Sequence, residues 1–391
     1  MMDSGVALSV AGDRAAWRRA EEASRRSWRL TVALLIPVGL LAVVGLGAIL
    51  SASSVPALQD RQDSLFYFRR QLVWLGGGVV ALALAAALPL RWWRRLAFPL
   101  FVGTVVLLVA VQLVGLRRGG AERWLSLGPL VLQPSEFAKP ATVLFLATLV
   151  SRKEDSMHRF RDFLWPVALS VGLVGGLVVV QPDLGTTLLI AAGGFAVLVA
   201  SAAPLAFVLG GGAIGAAAAV AAAMLSPYRW ERVTSFLNVG ADPLDTGYQA
   251  MQSLVALGTG GLFGVGLGAS RARWSFLPNA HTDFIFSIVG EETGLAGSLA
   301  VVLLFAVLTT AGMLVALRCR DRFGRLVAIG ITTWLAVQAL VNIGGVTGVL
   351  PITGVPLPFV SYGGSALLTE MIGVGLLVGI ARKAPDPEAA G

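Results

Sequence analysis

The chain has 391 residues, of which 56% are hydrophobic and only 13% are charged, and its mean hydropathy is +0.79. Because soluble globular proteins carry about 25% charged residues, this composition excludes an ordinary soluble domain and indicates an integral membrane protein. The single cysteine, Cys319, excludes a disulfide framework and a metal site built from several cysteines.

Long apolar runs follow one another along the chain and predict an all-α integral membrane protein with about ten transmembrane helices. Strands are not expected, because the runs are unbroken and do not alternate in polarity. The predicted spans are 30–52, 71–90, 96–116, 134–151, 163–180, 185–202, 204–225, 284–317, 324–350 and 363–381.

The eighth hydrophobic region, 284–317, is well above the ~20 residues needed to cross a bilayer. Glycines and two glutamates interrupt its first part. We therefore predict a short entering piece, Phe284 to Val289, and a true span from about Gly297. Broken helices are tolerated in membranes where they line a cavity.

Basic residues cluster in the N-terminal tail, in the loops after even-numbered spans and behind the last span. That side holds 19 of the 30 basic residues, so the positive-inside rule makes it cytoplasmic, with both termini. The net charge of +8 is then a topology signal, and nucleic acid is not a predicted partner. We predict a disordered basic tail at 1–29, a ten-helix membrane domain at 30–382 and a cytoplasmic tail at 383–391.

The largest predicted extracytoplasmic loop is 226–283, between helices 7 and 8. Inside it Tyr248, Met251 and Val255 recur at helical spacing, which favours an amphipathic helix at the membrane interface, ended by glycines from Gly258 onward. The loop also carries cations that suit an anionic lipid-linked sugar, although solvent or lipid headgroups explain any one of them equally well. These cations are Arg229, Arg232, Arg271 and Arg273.

Polar residues bracket the short entering piece of the eighth region. Asp283 stands at the expected membrane lip, where partial desolvation would raise its pKa and make it a better base. The alternative is a helix N-cap, which suits both Asp283 and Thr282. Glu291 and Glu292 are expected to orient the site or to pair with a cation. His281 could shuttle protons, but we favour a plain hydrogen-bonding role.

The stretch "ERWLSLGPLVLQPSEFAKPA", Glu122 to Ala141, forms a second polar group. Glu136 and Lys139 are three apart on one helix face. Two interpretations stay open and can both be true: the pair neutralises itself in the membrane, and Lys139 faces an outer cavity and suits a phosphate group. Four further polar or aromatic residues lie beside it: Arg123, Trp124, Gln133 and Ser135.

Two tight connections complete the candidate sites. Gln181, Pro182 and Asp183 form a turn between spans, and the turn alone explains the proline and the aspartate. Ser361 lies in the Pro- and Gly-rich connection Pro351 to Leu368, for which a rigid re-entrant turn is the alternative to a functional role.

The sequence does not support a nucleotide-binding site. "GVGLGA", Gly264 to Ala269, matches a dinucleotide fingerprint but follows no strand, and no GxxxxGK[ST] occurs. We therefore predict no nucleotide. Asp242 and Asp245 are weak candidates for a divalent metal.

Five motifs, in this order, make the chain resemble the SEDS family (shape, elongation, division and sporulation), and its division branch more than its elongation branch. They are "RWLSLGPLVLQPSEFAK", "QPDLGTTLL", "GYQAMQSLVALGTGGLFGVGLG", "FLPNAHTDFIFSIVGEETGL" and "PITGVPLPFVSYGGSALL". The resemblance covers about residues 30–382. It implies a ten-span glycosyltransferase that polymerises lipid II at the outer face of the cytoplasmic membrane. A class B penicillin-binding protein and other divisome proteins would be its partners, with membrane lipids around it.

The resemblance also implies roles for particular residues. Asp283 matches the essential aspartate of the family and is expected to act as general base. The leaving undecaprenyl pyrophosphate would meet Lys139, Arg123 and a divalent cation, magnesium or manganese. The expected substrate-binding residues are Lys139, Glu136, Arg123, Trp124, Gln133, Ser135, His281, Thr282 and Ser361. The expected supporting residues are Glu291, Glu292, Gln181 and Asp183. A lipid II flippase, an elongation polymerase and a scaffold are the alternatives.

Overall fold

The structure is a computed structural model that describes residues 4–118, 121–128, 130–152, 165–201, 203–225, 230, 236, 247–271, 274 and 280–383. These residues form eleven helices and three short strands. The helices are α1 Ser4–Arg61, α2 Phe66–Ala87, α3 Leu90–Val114, α4 Pro134–Arg152, α5 Trp165–Val180, α6 Leu184–Val199, α7 Leu205–Met224, α8 Tyr248–Gly260, α9 Ile285–Arg318, α10 Arg322–Val346 and α11 Gly364–Lys383. The strands are β1 Leu116–Arg118, β2 Ala121–Leu127 and β3 Leu130–Leu132.

The multi-pass membrane architecture predicted from the sequence is confirmed. Within the described residues, seven helices are long and apolar enough to cross a bilayer, namely part of α1 together with α2, α3, α7, α9, α10 and α11. Helices α5 and α6 are apolar but have 16 residues each. With α4, they begin within a few residues of the fourth, fifth and sixth predicted spans. The count of ten spans, and the place of the large loop between spans 7 and 8, stay predictions.

The expectation of a chain without strands is wrong for residues 116–132. The strands β1, β2 and β3 form an antiparallel sheet in chain order, with Leu116 paired to Trp124 and Leu125 to Leu132. This stretch lies between the apolar runs, and Gly128 at the β2–β3 turn has a φ of 67°, which glycine adopts at little cost. Short hairpins of this kind contain no long apolar run, so the hydropathy of the sequence does not reveal them.

The N-terminal tail also differs from the expectation of disorder. Helix α1 begins at Ser4 and continues without interruption to Arg61, so residues 4–29 are helical. Glu21 and Arg25 pair at 2.7 Å on its exposed surface, a spacing that supports a helix. Of the predicted C-terminal tail, only Lys383 lies within the described residues.

Helices α10 and α11 form the centre of the molecule. Among the candidate membrane spans, theirs have the largest buried share. Trp334 of α10 is fully buried, and α11 packs closely against α2 while α9 packs against α1 and α10. At the periphery, Leu209 and Ile214 of α7 expose 64% and 72% of their surface. An apolar surface of this kind suits contact with lipid. Polar side chains on α10 and α11 are therefore held inside the protein, away from lipid.

Helix α9 is broken where the sequence predicts an interruption. Gly294 has φ 69° and ψ −165°, a conformation essentially confined to glycine. The backbone groups freed by the break pair with the glycine-rich segment 261–266. The amides of Val265 and Gly266 donate to the carbonyls of 291 and 292 at 3.0 and 3.2 Å, and the amides of 295 and 296 donate to the carbonyls of 261 and 262 at 2.9 and 3.1 Å.

The helix predicted at Tyr248 is confirmed as α8. The residues that it buries are small: Ser253, Ala256 and Gly260. A Cβ on Gly260 would lie 2.1 Å from the carbonyl oxygen of Gly290, so glycine permits the close approach of α8 to α9. Val255 is 49% exposed, so the packing face is not the apolar stripe seen in the sequence. The location of α8 at the membrane interface stays a prediction.

Several residues singled out in the large loop lie outside the described residues. They are Arg229, Arg232, Arg273, Asp242 and Asp245.

Candidate active site

The backbone of His281 to Asp283 is held by three hydrogen bonds to three successive carbonyl oxygens. The amide of Tyr362 donates to the carbonyl of 281 at 3.0 Å. The hydroxyl of Ser361 donates to the carbonyl of 282 at 2.6 Å. The side-chain amide of Asn342 donates to the carbonyl of 283 at 2.8 Å. The segment that carries the candidate base is therefore fixed by α10 and by the residues preceding α11.

Asp283 itself is half-buried and lines a small, partly open cleft. The N-cap position of α9 is occupied by Phe284, not by Asp283, so the capping alternative does not describe this helix start. The other walls come from the C-terminal part of α10 and from the turn after it: Val341, Asn342, Gly345, Val346, Ile352, Thr353, Gly354 and Val355. A carboxylate at the rim of a cleft is placed to take a proton from a bound hydroxyl.

The rings of two tyrosines lie beside His281 at the start of this segment. The centroid of His281 lies 4.9 Å from that of Tyr67 and 5.7 Å from that of Tyr362. Burial lowers the pKa of His281 from its usual 6.5, because an apolar environment disfavours the charged ring. A neutral imidazole between two tyrosines fits the hydrogen-bonding and packing role favoured by the sequence over a charged one.

Ser361 is an anchor of the proline-rich connection, which we define as residues 347–363 between α10 and α11. Besides bonding to the carbonyl of Thr282, its hydroxyl accepts from the amide of Leu357 at 2.8 Å. Gln71 of α2 reaches the same place, donating to the carbonyl of Ser361 at 3.3 Å and accepting from the amide of Gly363 at 3.4 Å. Ser361 is 5% exposed, so it acts in this structure on the backbone, and its predicted substrate contact stays a prediction.

A buried charged network lies between α4, α10 and α11. The ammonium of Lys139 is 2.6 Å from the carboxylate of Glu136, and the two side chains are 1% and 3% exposed. Lys139 also donates to Gln338 at 3.1 Å and lies 5.0 Å from the ring centre of Trp334. Gln338 in turn donates to Glu370 at 2.8 Å. We name these five residues the buried charged network.

The expectation that Lys139 faces an outer cavity is wrong for this structure. Helices α10 and α11 enclose its ammonium, whose partners are a carboxylate, an amide oxygen and an aromatic face. The alternative of a pair that neutralises itself in the membrane describes the geometry. Phosphate contact by Lys139 or Glu136 stays a prediction.

A second polar cluster unites two motifs that are far apart in the sequence. Arg123 donates to the carbonyl of Gln181 at 2.8 Å and to that of Pro182. Gln133 donates to Asp183 at 3.1 Å, and Ser135 donates to the same carboxylate oxygen at 3.4 Å.

Asp183 in this cluster also caps α6, accepting from the amide of Thr186 at 3.1 Å. The turn alternative is thus correct for Asp183, and the carboxylate has a second use in joining α4 to α6. Trp124 is half-buried on β2. Substrate contacts by the residues of this cluster stay predictions.

Glu291 and Glu292 hold neighbouring segments rather than the cleft. Glu291 accepts from the hydroxyl of Ser270 and from the amide of Arg271 at 3.0 Å. Glu292 accepts from the hydroxyl of Ser51 on α1. Both carboxylates are nearly fully buried. The bonds of Glu291 hold residues 270 and 271 of the loop before Asp283, and the bond of Glu292 joins α9 to α1. This geometry agrees with a supporting role.

Mg²⁺ is commonly held by one or two carboxylates together with the phosphates of a substrate. Across the described ranges, no three His, Cys, Asp or Glu side chains are placed to hold a metal ion. The described residues therefore do not form a metal site from protein ligands alone, and no step of the chemistry is derived through a metal. Asp242 and Asp245 lie outside those ranges, and the cation stays a prediction.

Several important residues escaped the sequence analysis: Gln71, Gln338, Asn342 and Glu370. The signal for three of them was present. Gln338 and Asn342 are four apart on one face of an apolar helix, and Glu370 is a lone carboxylate inside the last span. A polar or ionisable residue inside a membrane helix is a functional or structural marker by default. Gln71 stands at the end of a helix and carried no such signal.

Together, the fold and the site define a multi-pass membrane protein with an aspartate lining a cleft and a buried charged network inside. The chain matches the model of the FtsW/RodA/SpoVE family, described as "Cell cycle protein", over residues 31–385. The protein belongs to this family.

Similar proteins cover nearly the whole chain. Stage V sporulation protein E of Bacillus subtilis (strain 168) is 41% identical over 352 residues, which are 89% of this chain and 96% of that protein. "Probable peptidoglycan glycosyltransferase FtsW" of Trichlorobacter lovleyi is 37% identical over 364 residues, which are 92% of this chain and 96% of that protein.

Solved structures show the same fold. A chain from a study of "structural coordination of polymerization and crosslinking by a peptidoglycan synthase complex" has a TM-score of 0.73 and 33% identity, covering 90% of this chain and 97% of that chain. The rod shape determining protein RodA of Thermus thermophilus has a TM-score of 0.67 and 29% identity, with the same coverage.

Proposed function

We propose that this protein is a peptidoglycan glycosyltransferase that polymerises lipid II into glycan strands for septal wall synthesis, with Asp283 as general base. The observation that carries the proposal is the half-buried carboxylate of Asp283 at the rim of a cleft, on a backbone fixed by three successive hydrogen bonds. Relatives named peptidoglycan glycosyltransferase FtsW, similar over almost the full length, support the reaction class.

The chemistry needs one base and a good leaving group. The 4-hydroxyl of an incoming lipid II attacks the anomeric carbon of the lipid-linked strand, and the carboxylate of Asp283 takes the hydroxyl proton. The glycosidic bond forms as the bond to undecaprenyl pyrophosphate breaks. A single base and a displaced phosphate fit inversion at the anomeric carbon, by analogy with inverting glycosidases. Arg123 and Lys139 are proposed to meet the leaving charge, which requires Lys139 to separate from Glu136.

We propose that the cleft opens outside the cell, with both termini in the cytoplasm. Asp283 stands before the first turn of α9, and Arg318 ends this 34-residue helix, so the two lie at opposite ends of a span. Near Arg318, Arg94 pairs with Asp321 at 2.8 Å. Basic residues gather at this end, as the positive-inside rule requires of the cytoplasmic side.

Orientation is tested by labelling single cysteines in a Cys319→Ser background with a membrane-impermeant maleimide. Leu65 lies in the turn before α2. Tyr67, near the start of α2, contacts the ring of His281, so Leu65 lies at the same end of the molecule as the candidate site. Leu65→Cys is expected to react in intact cells, whereas Arg318→Cys is expected to react only after permeabilisation. The reverse pattern would overturn the orientation.

The reaction is tested with the purified protein, a class B penicillin-binding protein as partner, and labelled lipid II. We expect glycan strands from the wild type and none from Asp283→Asn or Asp283→Ala. An Asp283→Asn protein that polymerises at the wild-type rate would sink the base assignment. Translocation of lipid II in vesicles without polymer would favour a flippase. Rescue of elongation-depleted but not division-depleted cells would favour the elongation role over the septal one.

A further inference from the structure

We propose that Asn342 is a positioning residue that holds Asp283 in place through the backbone. The inference rests on the proposed function, because it assumes that Asp283 is the base. Asn342 lies on α10, is 4% exposed, and lines the same cleft as Asp283. Its side chain bonds to the backbone carbonyl of Asp283, so we expect its effect on the reaction to be indirect.

The side-chain amide of Asn342 joins two segments that are remote in the sequence. Its Nδ2 donates to the carbonyl of Asp283 at 2.8 Å and to the carbonyl of Val355 at 2.8 Å. An asparagine has two N–H donors on this nitrogen, and both are used. Asn342 is therefore a bridge between the segment that carries the base and the proline-rich connection.

The orientation of this amide follows from its partners. The opposite orientation would place Oδ1 against two carbonyl oxygens, which repel it. In the observed orientation Oδ1 is buried without a hydrogen-bond partner among the described residues, and such an acceptor carries a free-energy cost. A buried polar group that is kept at a cost marks a position under a functional constraint. The constraint here is the need for two donors at one point.

Gln338 shows which part of this arrangement is special to Asn342. It lies one helical turn before Asn342 on the same face of α10. Its Nε2 donates to the carbonyl of Pro356 at 3.0 Å, next to the carbonyl that Asn342 holds, and its second partner is Glu370. Both amides anchor the proline-rich connection to α10. Of the two amides, that of Asn342 also donates to the carbonyl of Asp283.

The test uses the complex with its partner and compares Asn342→Leu with Ser253→Ala, with turnover normalised to folded protein. Ser253 also donates a buried hydrogen bond to α10, at the carbonyl of Val346 one turn beyond Asn342, at 2.7 Å. It reaches neither Asp283 nor the proline-rich connection. We expect Asn342→Leu to lower kcat about 10- to 100-fold, since a misplacement near 1 Å can cost about 100-fold. The KM for lipid II should change little, and Ser253→Ala should leave both constants near the wild type.

A double-mutant cycle separates positioning from a general structural role. If Asn342 acts through the carboxylate, its loss should cost less in an Asp283→Glu background, where the carboxylate is already displaced. Multiplicative losses, or an Asn342→Leu kcat equal to that of Ser253→Ala, would overturn the proposal. Where Asp283→Glu is too slow to measure, the proposal is tested by whether Asn342→Leu lowers kcat while KM stays unchanged. An Asp283→Asn protein of wild-type rate would instead overturn the base assignment itself.

A milder variant covers the case in which Asn342→Leu does not fold. Asn342→Thr supplies one hydroxyl donor for two carbonyls, so it is expected to retain the fold and to lose a smaller part of kcat at unchanged KM. A wild-type kcat in this variant would show that the second donor is not needed and would contradict the proposal.

Discussion

Replacing Lys139 by methionine isolates the energetic role of the buried charged network. The ammonium is 2.6 Å from the carboxylate of Glu136 with both side chains almost fully buried. The carboxylate oxygen that faces it has no other hydrogen-bond partner among the described residues. Lys139→Met therefore leaves a buried carboxylate uncompensated, and removal of one partner from such a pair costs about 3–5 kcal/mol. Because total stabilities are about 5–15 kcal/mol, this is a large loss.

The matched control removes both charges of the Glu136–Lys139 pair and leaves Glu370 with its hydrogen bond from Gln338. The double variant Glu136→Met/Lys139→Met replaces the pair with apolar side chains of similar length, and such replacements are often neutral or stabilising. We expect the double variant to recover most of the free energy of unfolding lost in Lys139→Met. The quantity is measured by equilibrium unfolding in mixed detergent micelles at fixed protein concentration.

Two outcomes would refute this reasoning. Lys139→Met could unfold with the wild-type free energy, or the double variant could be no more stable than Lys139→Met. The same proteins address the phosphate role. A stable double variant that polymerises lipid II excludes a need for Lys139 at the leaving group, whereas a stable variant that binds but does not turn over supports it.

Three other predictions concern Ser361, Gly294 and His281. Ser361→Ala should lose about 1–3 kcal/mol of unfolding free energy, because the amide of Leu357 and the carbonyl of Thr282 lose their partner; an unchanged value contradicts the anchor role. Gly294→Ala should lose about 2–5 kcal/mol, from the forbidden backbone conformation and from a Cβ only 2.4 Å from the amide of Gly264. Gly76→Ala, where the Cβ meets open space, should be neutral or about 1 kcal/mol more stable, and equal effects at the two glycines would refute the argument. Finally, the lowered pKa of His281 means that the unfolded chain binds the proton more readily, so stability should fall as the pH drops below about 6.5. Unfolding measured from pH 8 to 5 should show a smaller loss for His281→Gln, and identical slopes would contradict the lowered pKa.

Periodicity and charge placement predicted the membrane class and the positions of the helices well, because long apolar runs have few alternatives in a bilayer. The break in α9 was visible for the same reason, since glycines and glutamates inside a span need an explanation. The strands at 116–132 and the helical tail at 4–29 were missed. Neither carries a long apolar run, so their conformations depend on local pairing that composition does not reveal.

The arrangement of the candidate site was harder to predict from the sequence than the helices were. Asp283 could be singled out as the candidate base because its neighbours in the sequence point to a membrane lip. The depth of Lys139 was not found, because its burial depends on α10 and α11, which begin 183 and 225 residues further along the chain. The partners of Asp283 escaped for the same reason. Asn342 and Ser361 act on carbonyl groups, and a backbone acceptor has no signature in a sequence.

The four backbone hydrogen bonds between 261–266 and 291–296 have a consequence for how this chain can vary in length. Each bond depends on the residue count on both sides of the pairing, so one inserted or deleted residue in either segment would put partners out of register. Substitutions there are limited by space at the glycines, but insertions are limited by register. Length changes are therefore not expected within these two segments, and a fusion placed at Gly264 should abolish folding, whereas one behind Lys383 should not.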